Sequence, residues 1–110
     1  MVRQYGLLER LSSVEAIDLS VLDAERDKQK TIKRLSAAAL NAKEKGAEVV
    51  IMGCAGMTGI RQDVELAAGL PVLDPVQVGY AQLELLVNLG LSTSKAGLYS
   101  FPYKKESLFL

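Results

Sequence analysis

Apolar runs and helical patterns alternate along this chain. Three stretches predict strands, at residues 13–19, 48–53 and 71–74. The middle stretch is nearly uniformly apolar and rich in β-branched residues, which is typical of a strand covered on both faces in a parallel sheet. The first stretch shows only a near alternation through Val14 and Ala16, so it is expected to form an outer or half-buried strand.

Two helices are predicted between these strands. Apolar residues three and four positions apart favour a helix over residues 31–45, and Gly46 suits the left-handed residue that follows a helix. A shorter helix is expected from Ile60 until Gly69 stops it. The segment 23–30, ahead of the first of these helices, is charged and is predicted to be an exposed connection.

The last helix is bounded by clear signals at both ends. Asp74 suits its N-cap, Pro75 its first turn, and Gly90 its end. It carries two apolar faces where a surface helix needs one, which predicts that its own sheet covers one face and something else the other. The faces hold Val76, Tyr80, Leu83 and Val87 on one side, and Val78, Leu85, Leu86 and Leu89 on the other. The tail, residues 91–110, is predicted to be extended and to pack on a partner lobe or subunit.

The order of these elements defines the expected fold class. Strand, helix, strand, helix, strand, helix predicts an α/β fold, a three-layer Rossmann-like lobe with a parallel sheet and right-handed crossovers. At 110 residues, the chain is expected to be a single domain, residues 1–110. Ligands of such sheets bind beyond the carboxyl ends of the strands. Cys54 and Asp74 follow two successive strands and are therefore expected at that edge.

Composition narrows the classes of partner and compartment. Thirteen basic and thirteen acidic residues give no net charge, which disfavours a nucleic-acid partner. The start of the chain has no uninterrupted apolar stretch of the signal-peptide kind, and the longest apolar run is far shorter than the roughly 20 residues that cross a bilayer. We therefore expect a soluble, cytoplasmic protein that binds no membrane.

The scarcity of two residue types removes several kinds of site. The chain has no histidine and a single cysteine, Cys54. A zinc site of cysteine and histidine, a cysteine–histidine pair and a serine–histidine–aspartate triad are all excluded, as is an internal disulfide.

A glycine-rich turn follows the strongest predicted strand and places Cys54 at the expected ligand edge. The helix after the turn would direct free N–H groups and its positive dipole end toward the thiol, which would favour the thiolate. A substrate carboxylate or enolate would then meet the backbone N–H groups of Ala55, Gly56 and Met57. The alternative is that Cys54 is simply a small buried apolar residue, as most free cysteines are.

Two further interpretations of this region stay open. A strand, a glycine-rich turn, a helix and then an acidic residue also describe a dinucleotide site, but the glycines follow the pattern G-x-x-G-x-x-G where that site needs G-x-G-x-x-G. Asp74 either contacts a substrate or only caps its helix, and Thr58 either binds a ligand or caps the helix that follows it.

Three blocks of this sequence resemble the hydantoin racemases of the aspartate/glutamate/hydantoin racemase superfamily. Residues 46–57, GAEVVIMGCAGM, are similar to the second cysteine motif of that family. Residues 71–76, PVLDPV, resemble its next strand and helix start, and residues 90–95, GLSTSK, its C-terminal motif. The resemblance covers essentially the whole chain, in order and at similar spacings.

The resemblance implies a racemase that needs no cofactor. In the family, two cysteines face each other across a cleft between two α/β lobes, one taking the proton α to a carbonyl and the other returning a proton on the opposite face. Carried onto this chain, Cys54 is one of the two acid/bases, and Gly53, Ala55, Gly56 and Met57 form an amide cradle for a hydantoin or amino-acid-like substrate. No metal, pyridoxal phosphate or nucleotide is implied.

The length of the chain limits what the resemblance implies for it alone. Family members are about twice as long, so this chain corresponds to their C-terminal half, and it carries one cysteine where the chemistry needs two. A homo-oligomer, or a separate polypeptide with the N-terminal lobe, would supply the second thiol. The alternatives are a single-cysteine decarboxylase of the same superfamily and a truncated assembly module without catalysis.

Overall fold

Residues 2–101 of the chain are described here by a computed structural model. Contacts within the chain separate two units, one ending at Tyr80 and the other beginning at Ala81, and each is described by itself.

The longest helix of the first unit confirms the clearest helical pattern of the sequence. Helix α2 spans Lys28–Glu44, three residues longer at its start than the pattern predicts, because the Asp27 carboxylate accepts a hydrogen bond from the N–H of Lys30 at 2.9 Å. Its end is set by Gly46, which adopts the left-handed conformation with φ of +90°. The N–H of Ala47 then reaches back to the Ala42 carbonyl, as in a Schellman motif.

Two short parallel strands confirm the α/β class. Strand β1 spans Val50–Ile51 and β2 spans Val72–Leu73, with Val50 opposite Val72 and Ile51 opposite Leu73. Helix α3, Arg61–Ala68, connects them, so β1, α3 and β2 form one parallel strand–helix–strand unit. Both strands lie within the stretches predicted for them and are shorter.

The strand predicted over residues 13–19 is wrong. Residues 11–20 form neither helix nor strand, and Val14 is 83% exposed. Side chains of α2 and of Lys45, the residue after it, hold this segment where a strand neighbour would otherwise do so. The Arg34 guanidinium donates to the carbonyls of Ile17 and Asp18 at 2.7 and 3.1 Å, and Lys45 pairs with Glu15 at 2.7 Å.

The segment predicted to be an exposed connection also contains a helix. Helix α1 spans Val21–Arg26, where Ser20 caps the N–H of Asp23. Its Ala24 is buried, and the hydroxyl of Thr31 donates to the Ala24 carbonyl at 3.0 Å. The predicted exposure of the charged side chains is confirmed, and the helix is an addition that the sequence pattern did not predict.

The core of this unit lies on one face of the two strands, against α2 and α3. The exposed side chains of Ile51 and Leu73 belong to the opposite face. The Lys43 ammonium of α2 also donates to the Ala68 carbonyl at the end of α3, at 3.0 Å. The buried core cluster consists of Leu35, Ala39, Met52, Ile60, Val64, Ala68 and Val72.

Helix α4 spans Pro75–Asn88 and continues into the second unit. Gly90, with φ of +64°, ends it as predicted, because the N–H of Leu91 bonds back to the Leu86 carbonyl at 2.9 Å. No residue of α4 is buried. The tail is exposed throughout residues 91–101, and the rest of it lies outside the described residues. Within residues 2–101, no helix is both long enough and apolar enough to cross a bilayer.

Candidate active site

Cys54 lies three residues after Ile51, the last residue of β1, and so beyond the carboxyl end of that strand. Its backbone is extended, with φ of −144° and ψ of +136°, and its side chain is half-buried. A one-turn 3₁₀ helix, Ala55–Met57, follows directly, and α3 begins only at Arg61. The thiol is therefore held at the edge of the core and is accessible in part.

The glycine two residues after the thiol has a defined steric role. A Cβ atom placed on Gly56 would lie 3.6 Å from the Cys54 Sγ and 3.5 Å from the Val21 Cγ1. The first turn of α1 thus packs over the cysteine turn, and Gly56 leaves the thiol uncovered on that side. Sequence reasoning identified Gly56 but missed Val21. The serine at position 20 followed three residues later by Asp23, a common helix-start pattern, was the signal for α1.

Hydrogen bonds within the turn occupy only part of the predicted amide cradle. The Met57 N–H donates to the Cys54 carbonyl and the Thr58 N–H to the Ala55 carbonyl, both at 3.1 Å. These two N–H groups are occupied within the turn. The N–H groups of Gly53, Ala55 and Gly56 have no acceptor within residues 2–101, so three of the four members of the predicted cradle remain available to a ligand.

Asp74 is buried, and its hydrogen bonds join the turn to α4. Oδ2 accepts from the Thr58 hydroxyl at 2.7 Å and the Gly59 N–H at 3.1 Å, while Oδ1 accepts from the N–H groups of Val76 and Gln77 at 2.9 and 3.3 Å. The predicted helix cap is confirmed. Because a carboxylate has about four acceptor positions, these four donors occupy its capacity. The Thr58 side chain caps no helix and instead donates to Asp74.

The surroundings of Asp74 favour its ionised form. Burial alone would raise the pKa of its carboxyl, but the hydrogen bonds from the Thr58 hydroxyl and from three backbone N–H groups lower it by more. The pKa therefore lies below the ordinary value of 3.8. Asp74 is accordingly a fixed anion at neutral pH that holds the cysteine turn against the start of α4.

An open groove of about 1170 Å³ runs along β1 and reaches the thiol. We call it the β1 groove. Of the predicted site residues, Gly53, Cys54 and Met57 line it, whereas Ala55, Gly56, Thr58 and Asp74 do not. Its other walls are formed by residues 9–15 and 17, residues 46–52, and the α2 side chains of Leu35, Ala38, Ala39 and Ala42. Among residues 2–101, no three histidine, cysteine, aspartate or glutamate side chains come together as metal ligands would.

Comparison with known sequences identifies relatives along the whole chain. The sequence profile of the Asp/Glu/hydantoin racemase family matches residues 1–83. The chain is 39% identical over 109 residues to a hydantoin racemase of Paenarthrobacter aurescens, covering 98% of this chain and 46% of that one. A hydantoin racemase of Rhizobium meliloti is 38% identical over 108 residues, with 97% and 45% covered.

Solved structures agree with this likeness. An allantoin racemase from Pseudomonas fluorescens superimposes with a TM-score of 0.78 at 37% identity, over 96% of this chain and 45% of the other. An allantoin racemase from Klebsiella pneumoniae gives a TM-score of 0.81 at 36% identity, over 94% and 43%. The chain thus spans less than half the length of each of these four proteins.

Proposed function

The chain belongs to the Asp/Glu/hydantoin racemase family, and from this premise we propose that it supplies one catalytic half of a cofactor-independent racemase. The observation that carries the proposal is the position of Cys54, half-buried at the carboxyl end of β1 and lining a groove. The substrate class is a small cyclic amide such as a 5-substituted hydantoin, in which a proton is held on a carbon next to a carbonyl.

The proposed chemistry is a proton exchange at that carbon. The Cys54 thiolate takes the proton, the electron pair of the C–H bond moves into the carbonyl, and an enolate forms. A second thiol on the opposite face then gives its proton to the carbon, and the carbonyl reforms. Cys54 ends as the thiol and its counterpart as the thiolate, so the next turnover can run in the reverse direction without a cofactor.

The backbone of the cysteine turn would stabilise the intermediate. The enolate oxygen carries the charge that develops during proton removal, and the unoccupied N–H groups of Gly53, Ala55 and Gly56 are suited to donate hydrogen bonds to it. Gly56 adds a second contribution because the absence of a side chain leaves room beside the Sγ atom.

The second thiol lies outside these 110 residues. Cys54 is the only cysteine of the chain. Either a second copy brings its own Cys54 to the opposite face, or a separate chain corresponding to the N-terminal half of the relatives completes the site. Exchange of the substrate proton with solvent needs one base only, so this partial reaction is expected from the chain alone.

The experiment follows an enantiopure 5-substituted hydantoin in D₂O. Loss of the α-proton signal by NMR reports removal by one thiol, and loss of optical rotation reports delivery to the opposite face. We expect the α-proton signal to be lost faster with the wild-type chain than with a Cys54→Ser variant. Gln62→Ala, at an exposed position of α3 outside the motifs, is the control substitution. Equal rates for the wild-type chain and Cys54→Ser would refute a catalytic role for Cys54.

A single thiol also suits a decarboxylase of the same superfamily, because protonation on one face then completes the reaction. The single cysteine is the observation that favours it. An arylmalonate incubated in D₂O would give a product deuterated with one handedness if this second candidate is correct. Racemisation without decarboxylation would exclude it.

A further inference from the structure

One edge of β1 carries no strand. The N–H groups of Val50 and Met52 donate to the carbonyls of Pro71 and Leu73 at 2.9 and 3.0 Å. In a parallel pair the residue between two such donors directs its N–H and carbonyl to the other side. Ile51 therefore presents both of its backbone groups away from β2, and within residues 2–101 the sheet has no third strand to receive them.

The outer edge of β2 is treated differently. The N–H of Val72 points away from β1 and donates to the Glu65 carboxylate at 3.2 Å. Arg61 holds that carboxylate in turn, through an ion pair at 2.7 Å. A side chain thus closes the edge of β2, as proteins commonly do with edges that must not pair, while the edge of β1 stays open.

The open edge faces the β1 groove. Three alanines of α2, Ala38, Ala39 and Ala42, lie along the groove, and the irregular segment 11–15 forms a wall across from β1. Small side chains leave space for a backbone above the helix. At about 1170 Å³ the groove exceeds the usual 300–1,000 Å³ of small-molecule pockets. Backbone donors and acceptors along one side and apolar residues along another match an extended peptide better than a compact ligand.

We propose that the β1 groove binds an apolar extended polypeptide segment from outside these 110 residues, which joins β1 as a third strand. Edge-to-edge pairing of β1 with β1 of a second copy is disfavoured. In each copy β1 lies inside the β1 groove, behind segment 11–15. The relatives add a physical reason for such a partner, since this chain spans less than half of their length. The proposal concerns binding and does not depend on the chemistry of Cys54.

The test uses the full chain and a synthetic strand. The probe is a capped peptide of about five alternating valine and threonine residues between terminal lysines, the usual length of a strand. Valine would face α2 and threonine the opposite, exposed side. Amide hydrogen exchange followed by NMR is expected to show that the peptide slows exchange at Ile51 while the Val72 N–H, already bonded to Glu65, changes little.

Two controls distinguish strand addition from nonspecific binding of the peptide. A peptide with the same side chains but N-methylated central amides lacks the donors and should leave Ile51 unprotected. In the protein, Ala38→Glu places a charge in the β1 groove and is expected to weaken peptide binding by about tenfold, measured by fluorescence anisotropy. Ala37→Glu, one position along α2 and outside that groove, should bind as the wild type does.

Three results would overturn the proposal. The first is unchanged exchange at Ile51 at the highest soluble peptide concentration. The second is equal protection of the Ile51 N–H by the N-methylated and the unmodified peptide, a comparison that uses only the wild-type protein. The third is protection of Ile51 in the chain alone that grows with its concentration, which would assign the edge to a second copy.

Discussion

The thiol of Cys54 is bordered by a glycine whose missing side chain matters more than its backbone freedom. A methyl group on Gly56 would meet the Cys54 Sγ and the Val21 side chain at 3.6 and 3.5 Å, which are ordinary contact distances. We therefore predict that Gly56→Ala folds normally and slows alkylation of Cys54 several-fold. The rate of reaction with iodoacetamide measures this effect.

The matched control for this substitution is Gly53→Ala, on the other side of the same cysteine. No heavy atom lies within 4 Å of a Cβ placed there. Both variants lose the same freedom in the unfolded chain, so their free energies of unfolding should change by no more than about 1 kcal/mol. Equal alkylation rates in the two variants would show that Gly56 does not control access to the thiol.

The hydrogen bonds of Asp74 predict a stability that depends on pH. Because its pKa is lower in the folded chain, ionised Asp74 contributes stability above the unfolded-state pKa near 3.8, and this contribution is lost as pH falls through the folded value. Asp74→Asn should cost about 1–2 kcal/mol at neutral pH, since an amide accepts fewer hydrogen bonds. Urea unfolding should show that the difference from wild type shrinks below pH 3.8.

A milder substitution tests whether this loss of stability comes from the hydrogen bonds of Asp74. Thr58→Val removes one of the four donors to Asp74 and keeps the other three. Its loss of stability should be smaller than that of Asp74→Asn and should also decline at acid pH. If the stability lost by Thr58→Val does not change with pH, the loss comes from the hydroxyl group itself and not from its hydrogen bond to the ionised Asp74.

At the scale of single residues, the sequence predicted which residues form the turn but not the hydrogen bonds between them. Cys54 and Asp74 follow from the rule that ligands and caps gather at the carboxyl ends of parallel strands. That Thr58 donates to Asp74, sixteen positions away, depends on how the turn packs, and local patterns carry no information on it. The contact of Val21 with Gly56 was missed for the same reason.

At the scale of elements, an ammonium group of α2 binds the end of α3, beside the apolar core that the two helices share. The Lys43 Nζ donates to the carbonyls of Ala68 and Gly69 at 3.0 and 3.4 Å, where α3 ends and its carbonyls lack partners. A cation at this position also interacts favourably with the helix dipole. Lys43→Met keeps the stem of the side chain and is predicted to lower the free energy of unfolding by about 1 kcal/mol.

Lys33→Met is the control, since Lys33 is exposed on the same helix. It removes the same charge and should change the urea midpoint little. If both variants lose the same stability, the effect belongs to the net charge of the chain and not to the end of α3.

The elements that the sequence predicted correctly are those with a buried pattern and a marked end. Helix α2 has both, through Leu35, Ala39 and Gly46. Residues 13–19 have an apparent alternation, yet no neighbouring strand is present to pair with them among the described residues, so α2 side chains hold the segment instead. Helix α1 was missed because only Ala24 of its six residues is buried, which leaves almost no periodic signal.

At the scale of the whole molecule, the described residues leave much of their apolar surface in solvent. Their buried apolar core holds nine residues, four of which are alanine, while twenty-three large apolar side chains are exposed. Exposed apolar surface on this scale marks binding surfaces. The sequence indicated this imbalance through the two apolar faces of α4.

The exposed apolar residues at the end of α4 predict self-association. Leu85 and Leu89 are 55% and 61% exposed and lie four positions apart, so they are neighbours on one side of the chain. We expect the mass measured by light scattering to rise with concentration. Leu85→Glu should hold the protein at the monomer mass, because a charge buried in an apolar contact is costly.

Gln82→Glu adds the same charge to an exposed polar position of the same helix and should associate as the wild type does. A wild-type chain that stays monomeric at every concentration would exclude a second copy as the source of the second thiol. Association that Leu85→Glu does not reduce would place the contact elsewhere. If Leu85→Glu abolishes both association and racemisation, a second copy of Cys54 is favoured as the opposing acid. Exchange of the substrate proton with solvent should persist in that variant, because it needs only one thiol.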